Sequence, residues 1–170
     1  MGWLFLVILI VFVAISVQWL SRVLLVFSGT PLLRICGVML FVASVFVALT
    51  AVFGGITLAL GFDRFPADWL DGTLFRSYLI PGLMLAVLVG GSAAVAAVAA
   101  LGRADTGALI AMLAGAILLG WLVGERVILP ARAFVPQFWW LEAIYIAAGL
   151  MMVAPALAVW LGARKRVRSS

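Results

Sequence analysis

"LIPGLMLAVLVGGSAAVAAVAALGRADTGALIAMLAGAILLGWLVGERVIL" occupies Leu79–Leu129. It reads as two apolar runs, about 79–101 and 107–129, parted by the short stretch Gly102–Asp105. Each run reaches the roughly 20 residues that a helix needs to cross the hydrocarbon core of a bilayer. Lipid offers no water to an open backbone, so such runs are helices. A connection this short forces them into an antiparallel hairpin. The punctuation agrees. Pro81 stands in the first turn of the first run, where its missing N–H costs nothing. Gly102 is expected to close that helix in a left-handed conformation. Asp105 or Thr106 is expected to cap the next one, accepting from its free amides, and Pro130 to end it.

Working outward, three more runs are long enough to span, at about 2–20, 35–60 and 140–161. The chain therefore reads as all-α: a polytopic transmembrane bundle of five spans in one domain, 1–170, with four spans as the alternative. The first run lacks a basic stretch before its apolar core and a small-residue cleavage site, so it reads as a retained helix and not a signal peptide. "SRVLLVFSGTPLLR", Ser21–Arg34, is amphipathic and broken by Gly29 and Pro31. It either extends the first helix or lies along the membrane surface. Pro155 falls inside the fifth run, where a kink is expected.

Composition narrows the function. The chain is 68% hydrophobic and 10% charged, against about half and about a quarter in a soluble domain. It has no histidine and a single cysteine, Cys36. The commonest general base and the usual zinc and haem ligand are therefore missing. No catalytic residue, metal or cofactor is expected. Serines at 16, 28, 44, 77 and 92 have no histidine to activate them, although Glu125 and Glu142 form a carboxylate pair that could in principle move protons. The span centres, near Ala48, Val89, Ala116 and Leu150, carry no ionisable group, which argues against an ion pump. Basic residues are too scattered for nucleic acid.

Seven basic residues fall on one side: Arg22, Arg34, Arg103, Arg164, Lys165, Arg166 and Arg168. Four fall on the other: Arg64, Arg76, Arg126 and Arg132. The richer side marks the cytoplasm. This places the amino terminus outside and the basic tail, 162–170, inside, where it meets anionic lipid headgroups, each basic residue adding about 1 kcal/mol. The bias toward arginine, alanine, glycine and valine hints at a GC-rich bacterial genome, and the membrane expected is the bacterial cytoplasmic one.

The outer side gathers five of the six acidic residues: Asp63, Asp68, Asp71, Glu125 and Glu142. Trp69, Arg76, Arg126, Arg132 and Trp140 join them as a candidate rim for a ligand or partner. Phe62, Phe65 and Trp69 recur at helical spacing behind Pro66, as in a short helix lying on the bilayer surface. Gly72 suits a turn. Glu125 sits a turn inside the end of its helix, where the dipole disfavours it, so it needs a partner; Arg76, Arg132 or a neighbouring chain could supply one. The alternative is a solvated rim that only ties two loops together.

Small residues recur at four-residue steps and let helix backbones approach. The fourth run carries Gly107, Ala111 and Gly115 on one stripe, and Ala116, Gly120 and Gly124 on another. The third pairs Gly90 with Ala94 and Ala93 with Ala97. The second carries Ala51, Gly55 and Ala59, and the fifth Ala154, Ala158 and Gly162. Both stripes of the fourth run are read as packing internally, with a partner chain as the alternative for the second.

Several segments carry a resemblance: Gly54-Gly55, "DWLDGTLFRSYLIPGLMLAVLVGG" (Asp68–Gly91), "GWLVGE" (Gly120–Glu125) and "FWWLEAIYIAAGL" (Phe138–Leu150). Over about 35–161 the chain resembles a loosely defined, functionally uncharacterised group of small four-span membrane proteins, frequent in actinobacteria. The resemblance implies a fold and no activity, and the first run here is an addition to it. The function expected first is a non-catalytic accessory or structural subunit, packing with itself or a larger membrane complex. The alternative is binding or transport of a lipid or other amphipathic molecule at the outer rim, through an opening lined by Trp69, Trp139, Trp140 and Glu142.

Overall fold

A computed structural model describes residues 2–62, 70–128 and 139–168, with side chains over 6–62, 70–128 and 139–161. Five helices account for almost all of it. They are α1 (Gly2–Val26), α2 (Pro31–Ala59), α3 (79–100), α4 (Ala104–Ile128) and α5 (Trp139–Arg168). All five are long and apolar enough to cross a membrane. The protein is a multi-pass, all-α membrane bundle.

Local chemistry sets the helix ends. Ser21–Val26 extends α1, and α2 already begins at Pro31. Thr30 is its N-cap, its hydroxyl accepting from Leu33 N at 3.4 Å, with Pro31 in the first turn. At the tight turn after α3, Gly102 does not take the left-handed conformation that the sequence suggests. Leu101 closes the helix in the right-handed region, and the amides of Leu101 and Gly102 donate to Val98 O and Ala99 O, both at 3.1 Å. The last turn tightens to i→i+3 bonds, so no positive φ is needed. Asp105 lies one residue inside α4, not at its cap; Oδ1 accepts from Thr106 N at 2.9 Å. Gly72 does turn the chain at φ +83°. Helix α5 runs through Pro155 and continues to Arg168, so most of the basic tail prolongs a span. Pro130, and the surface segment around Phe65 and Pro66, lie outside the described residues.

Helices α2, α3, α4 and α5 close a ring, each packed on the next and α5 back on α2. Helix α1 lies outside that ring, chiefly against α2. Its spanning window is only 6% buried, against 56% for α2. Phe27 from the end of α1 covers Gly37, and Phe12 meets Phe46 edge-on at 6.0 Å. Phe46 in turn faces Tyr145 of α5. Cys36 is buried among these as a small apolar side chain. Ser44 is fully buried, with no hydrogen-bond partner for its hydroxyl among the described residues. Outward positions such as Val17, Leu25, Val87, Val98 and Val123 are exposed, as a lipid-facing surface requires.

The ring is built on small residues, but not all of those the sequence nominates. A methyl added at Gly55 would lie 2.4 Å from Gly82 O and 2.6 Å from Ala86 N. Gly90 is held as closely against Val52. Gly82, Ala86 and Gly90 thus form one stripe of α3, docked on Ala48, Val52, Gly55 and Ala59 of α2. Residues 85–91 wind as a π-helix, whose wider turn keeps these four-residue steps on one face. Beyond it the buried positions become Ala93, Ala96, Ala97 and Ala100, while Ala94 turns outward. The pairing of Gly90 with Ala94 therefore fails, because an ordinary α-turn resumes in between. On α5, Ala154 and Ala158 likewise face out, and Met152, Ala156 and Val159 face in.

The first stripe of α4 does pack within the chain. A methyl on Gly107 would sit 2.8 Å from Ala100 Cα, and one on Gly115 would sit 3.0 Å from Gly149 O. Ala111 is fully buried between them. The second stripe does not: around Gly120 and Gly124 nothing lies within 4 Å of an added Cβ, and Ala116 is exposed. This contrast gives a test. Gly55→Ala forces backbone against backbone and is expected to destabilise the folded bundle by about 1–3 kcal/mol. Gly120→Ala is expected to change stability by less than about 0.5 kcal/mol. Equilibrium unfolding in mixed micelles, followed by circular dichroism, measures both.

Candidate functional site

The ends of α2 and α4 and the beginnings of α3 and α5 meet at one end of the bundle. Helices α3 and α4 touch at their hairpin end, where Gly107 lies against Ala100. They separate toward the other end, because Gly82 and Gly55 draw the start of α3 onto α2. The separation opens a cavity of about 380 Å³. Leu58 of α2 and Met84 and Leu88 of α3 form one wall. Ile117, Trp121 and Ile128 of α4 form the opposite one, with Gly120 and Gly124 between them. Leu70, Phe75 and Tyr78, from the segment before α3, close the end. Thr73 holds that segment in shape. Its hydroxyl donates to Leu70 O at 2.7 Å and accepts from Phe75 N at 3.2 Å. A cavity of this size is within the range of small-molecule sites.

Glu125 is the one charged residue among the described lining residues. Its partner is not Arg76 but Trp121, whose Nε1–H donates to Glu125 Oε1 at 2.6 Å. The two lie four residues apart, one turn along the same face of α4. Arg76 is exposed and makes no ion pair with Glu125. Next in the chain, Arg126 turns toward α5. Its Nε donates to Glu142 Oε1 at 2.7 Å, and a terminal guanidinium nitrogen pairs with Oε2. This forked pair fastens the end of α4 to the first turn of α5. Adjacent residues on a helix point about 100° apart. Glu125 therefore serves the α3 side and Arg126 the α5 side.

The rim proposed from the sequence is thus only partly assembled. Glu125, Arg126 and Glu142 come together. Trp140 stands exposed on the first turn of α5 with Trp139, away from the cavity. Asp71 and Arg76 are exposed in the segment before α3. Asp63, Asp68, Trp69 and Arg132 lie outside the described residues. Of the opening expected beside Trp69, Trp139, Trp140 and Glu142, Trp69 lies outside the described residues and Glu142 is engaged by Arg126; the cavity lies between α3 and α4. Sequence reasoning missed Trp121, Tyr78 and Phe75. The four-residue spacing of Trp121 and Glu125 was the available signal for the first.

No family model, curated protein or solved structure matches the chain. Among the described residues no group of three His, Cys, Asp or Glu side chains could hold a metal ion.

The Trp121–Glu125 bond carries a prediction. Trp121→Phe keeps the ring and removes the donor, leaving a carboxylate among apolar walls without its partner. It is expected to lower stability by about 1–3 kcal/mol. The loss should largely vanish in a Glu125→Leu background, and a double-mutant cycle of unfolding midpoints measures it.

Proposed function

We infer that the protein binds an amphipathic, lipid-like molecule in the cavity between α3 and α4. One observation carries this reading: an apolar chamber of about 380 Å³ in the wall of a membrane bundle, with a single carboxylate in its lining. Apolar walls accept a hydrocarbon chain, and Glu125, Tyr78 and the Trp121 indole supply a few polar groups for a head. Such a mixture of many apolar and few polar groups is typical of ligand sites. The role is non-catalytic. The setting is a bacterial cytoplasmic membrane, with the cavity at the outer end. Arg22 near the end of α1, Arg34 in the first turn of α2, Arg103 in the hairpin turn and the basic end of α5 support that orientation.

A second reading is favoured by the uncovered second stripe of α4. Ala116, Gly120 and Gly124 offer a neighbouring helix a close approach. In that case the protein is an accessory or structural subunit packing with a second copy or a larger membrane complex.

One experiment separates the two. The full chain and two variants, Gly124→Leu and Gly120→Leu, are purified from native membranes in mild detergent, and everything that accompanies them is identified by mass spectrometry. The side chain added at 124 fills the chamber without meeting a neighbour at its Cβ. An amphiphile enriched with the wild type and depleted at least tenfold in Gly124→Leu supports ligand binding. A larger membrane protein in stoichiometric amount, lost in Gly120→Leu, supports the subunit role. A wild-type chain that comes alone with bulk lipid overturns both.

A further inference from the structure

Resting on the reading of the cavity as an amphiphile site, we propose that it selects a positively charged head: an ammonium carried on an alkyl chain. The argument begins with how charge is divided at this end of the bundle. Glu125, Arg126 and Glu142 are clustered there. The Arg126 guanidinium is engaged by Glu142 through both carboxylate oxygens. The partner of Glu125 is the Trp121 indole N–H, a neutral donor. The indole satisfies one oxygen lone pair and brings no charge of its own to the carboxylate. The described charges of this cluster sum to one negative, and that charge is the one in the cavity lining.

The remaining walls fit the same chemistry. Phe75, Tyr78 and Trp121 all line the chamber with Glu125, and aromatic rings attract alkylammonium groups through their negative faces. Their attraction is strongest where water is excluded, and the lining residues Leu58, Met84, Leu88 and Ile117 are apolar. An anionic head would meet Glu125 and, among the described lining residues, no guanidinium. A neutral head would leave the carboxylate in an apolar chamber with, among the described residues, the indole as its donor. A cation supplies the missing charge, and its chain runs along the apolar wall toward the gap between α3 and α4.

The test uses the full chain in phosphatidylglycerol nanodiscs, whose lipid carries no ammonium, and three probes with the same tail: dodecyltrimethylammonium, dodecanol and dodecyl sulfate, each radiolabelled. Partition into empty discs is subtracted. The expected result is saturable binding of the cation at least tenfold tighter than of the other two. Glu125→Gln should erase that preference, and Glu125→Asp should keep most of it. Equal saturable binding of all three probes to the wild type, blocked by Gly124→Leu, overturns charge selection and leaves the amphiphile site standing. No saturable binding of any probe overturns the site itself, and the selection with it. Because the comparison of heads is made on the wild type, it decides the matter even if Glu125→Gln fails to fold. Repeating the titration in discs containing phosphatidylethanolamine identifies the source. Displacement of the cation assigns the ammonium to a lipid headgroup, and undiminished binding assigns it to a single-chain cation.

Discussion

The backbone contact between Gly55 and Gly82 governs the rest of the bundle. With no side chain on either residue, α3 settles directly on α2, and an added methyl would lie within 2.6 Å of backbone atoms at both positions. In lipid there is no hydrophobic gain in bringing two apolar helices together, so close van der Waals contact of this kind is what holds them. The contact also directs α3. It pulls the first turns of that helix away from α4, while Ala100 and Gly107 keep the other ends together. The chamber between α3 and α4 is the geometric result. The π-turns over 85–91 are part of the same arrangement, since they hold Gly82, Ala86 and Gly90 on one face before the α-helical phase resumes.

Charge at the open end is arranged by helix geometry. Two successive residues of α4, Glu125 and Arg126, serve opposite neighbours. Arg126 closes the α4–α5 seam with Glu142, whose place in the first turn of α5 also suits the helix dipole. Glu125 stays on the α3 side, anchored by an indole one turn earlier. The Arg126–Glu142 ion pair lies in the α4–α5 seam, and the chamber lies in the neighbouring α3–α4 seam.

Helix α1 stands apart from this machinery. It touches the ring chiefly along α2, and the ring of four would remain closed without it. Phe12, Phe27 and the small Gly37 show how α1 is attached: aromatic side chains seated against α2, not a stripe of backbone contacts.

Five helices, their approximate limits and the hairpin at 102–105 were legible in the sequence. Length and apolarity alone leave a helix as the way for such a run to satisfy its backbone in lipid. The clustering of Glu125, Arg126 and Glu142 was legible too, because the hairpin fixes which loops share an end. Which small residues meet was not. Gly82 stood on no stripe read from the sequence, and Ala94 and Ala154 looked like contact positions, because a four-residue step in sequence does not say toward which neighbour a face is turned. The phase change at the π-turns is invisible to a fixed helical period. The partner of Glu125, and the chamber beside it, depend on where α3 crosses α2 relative to α4. Only the packed bundle decides that, through a contact between two glycines that carry no side chain to announce it.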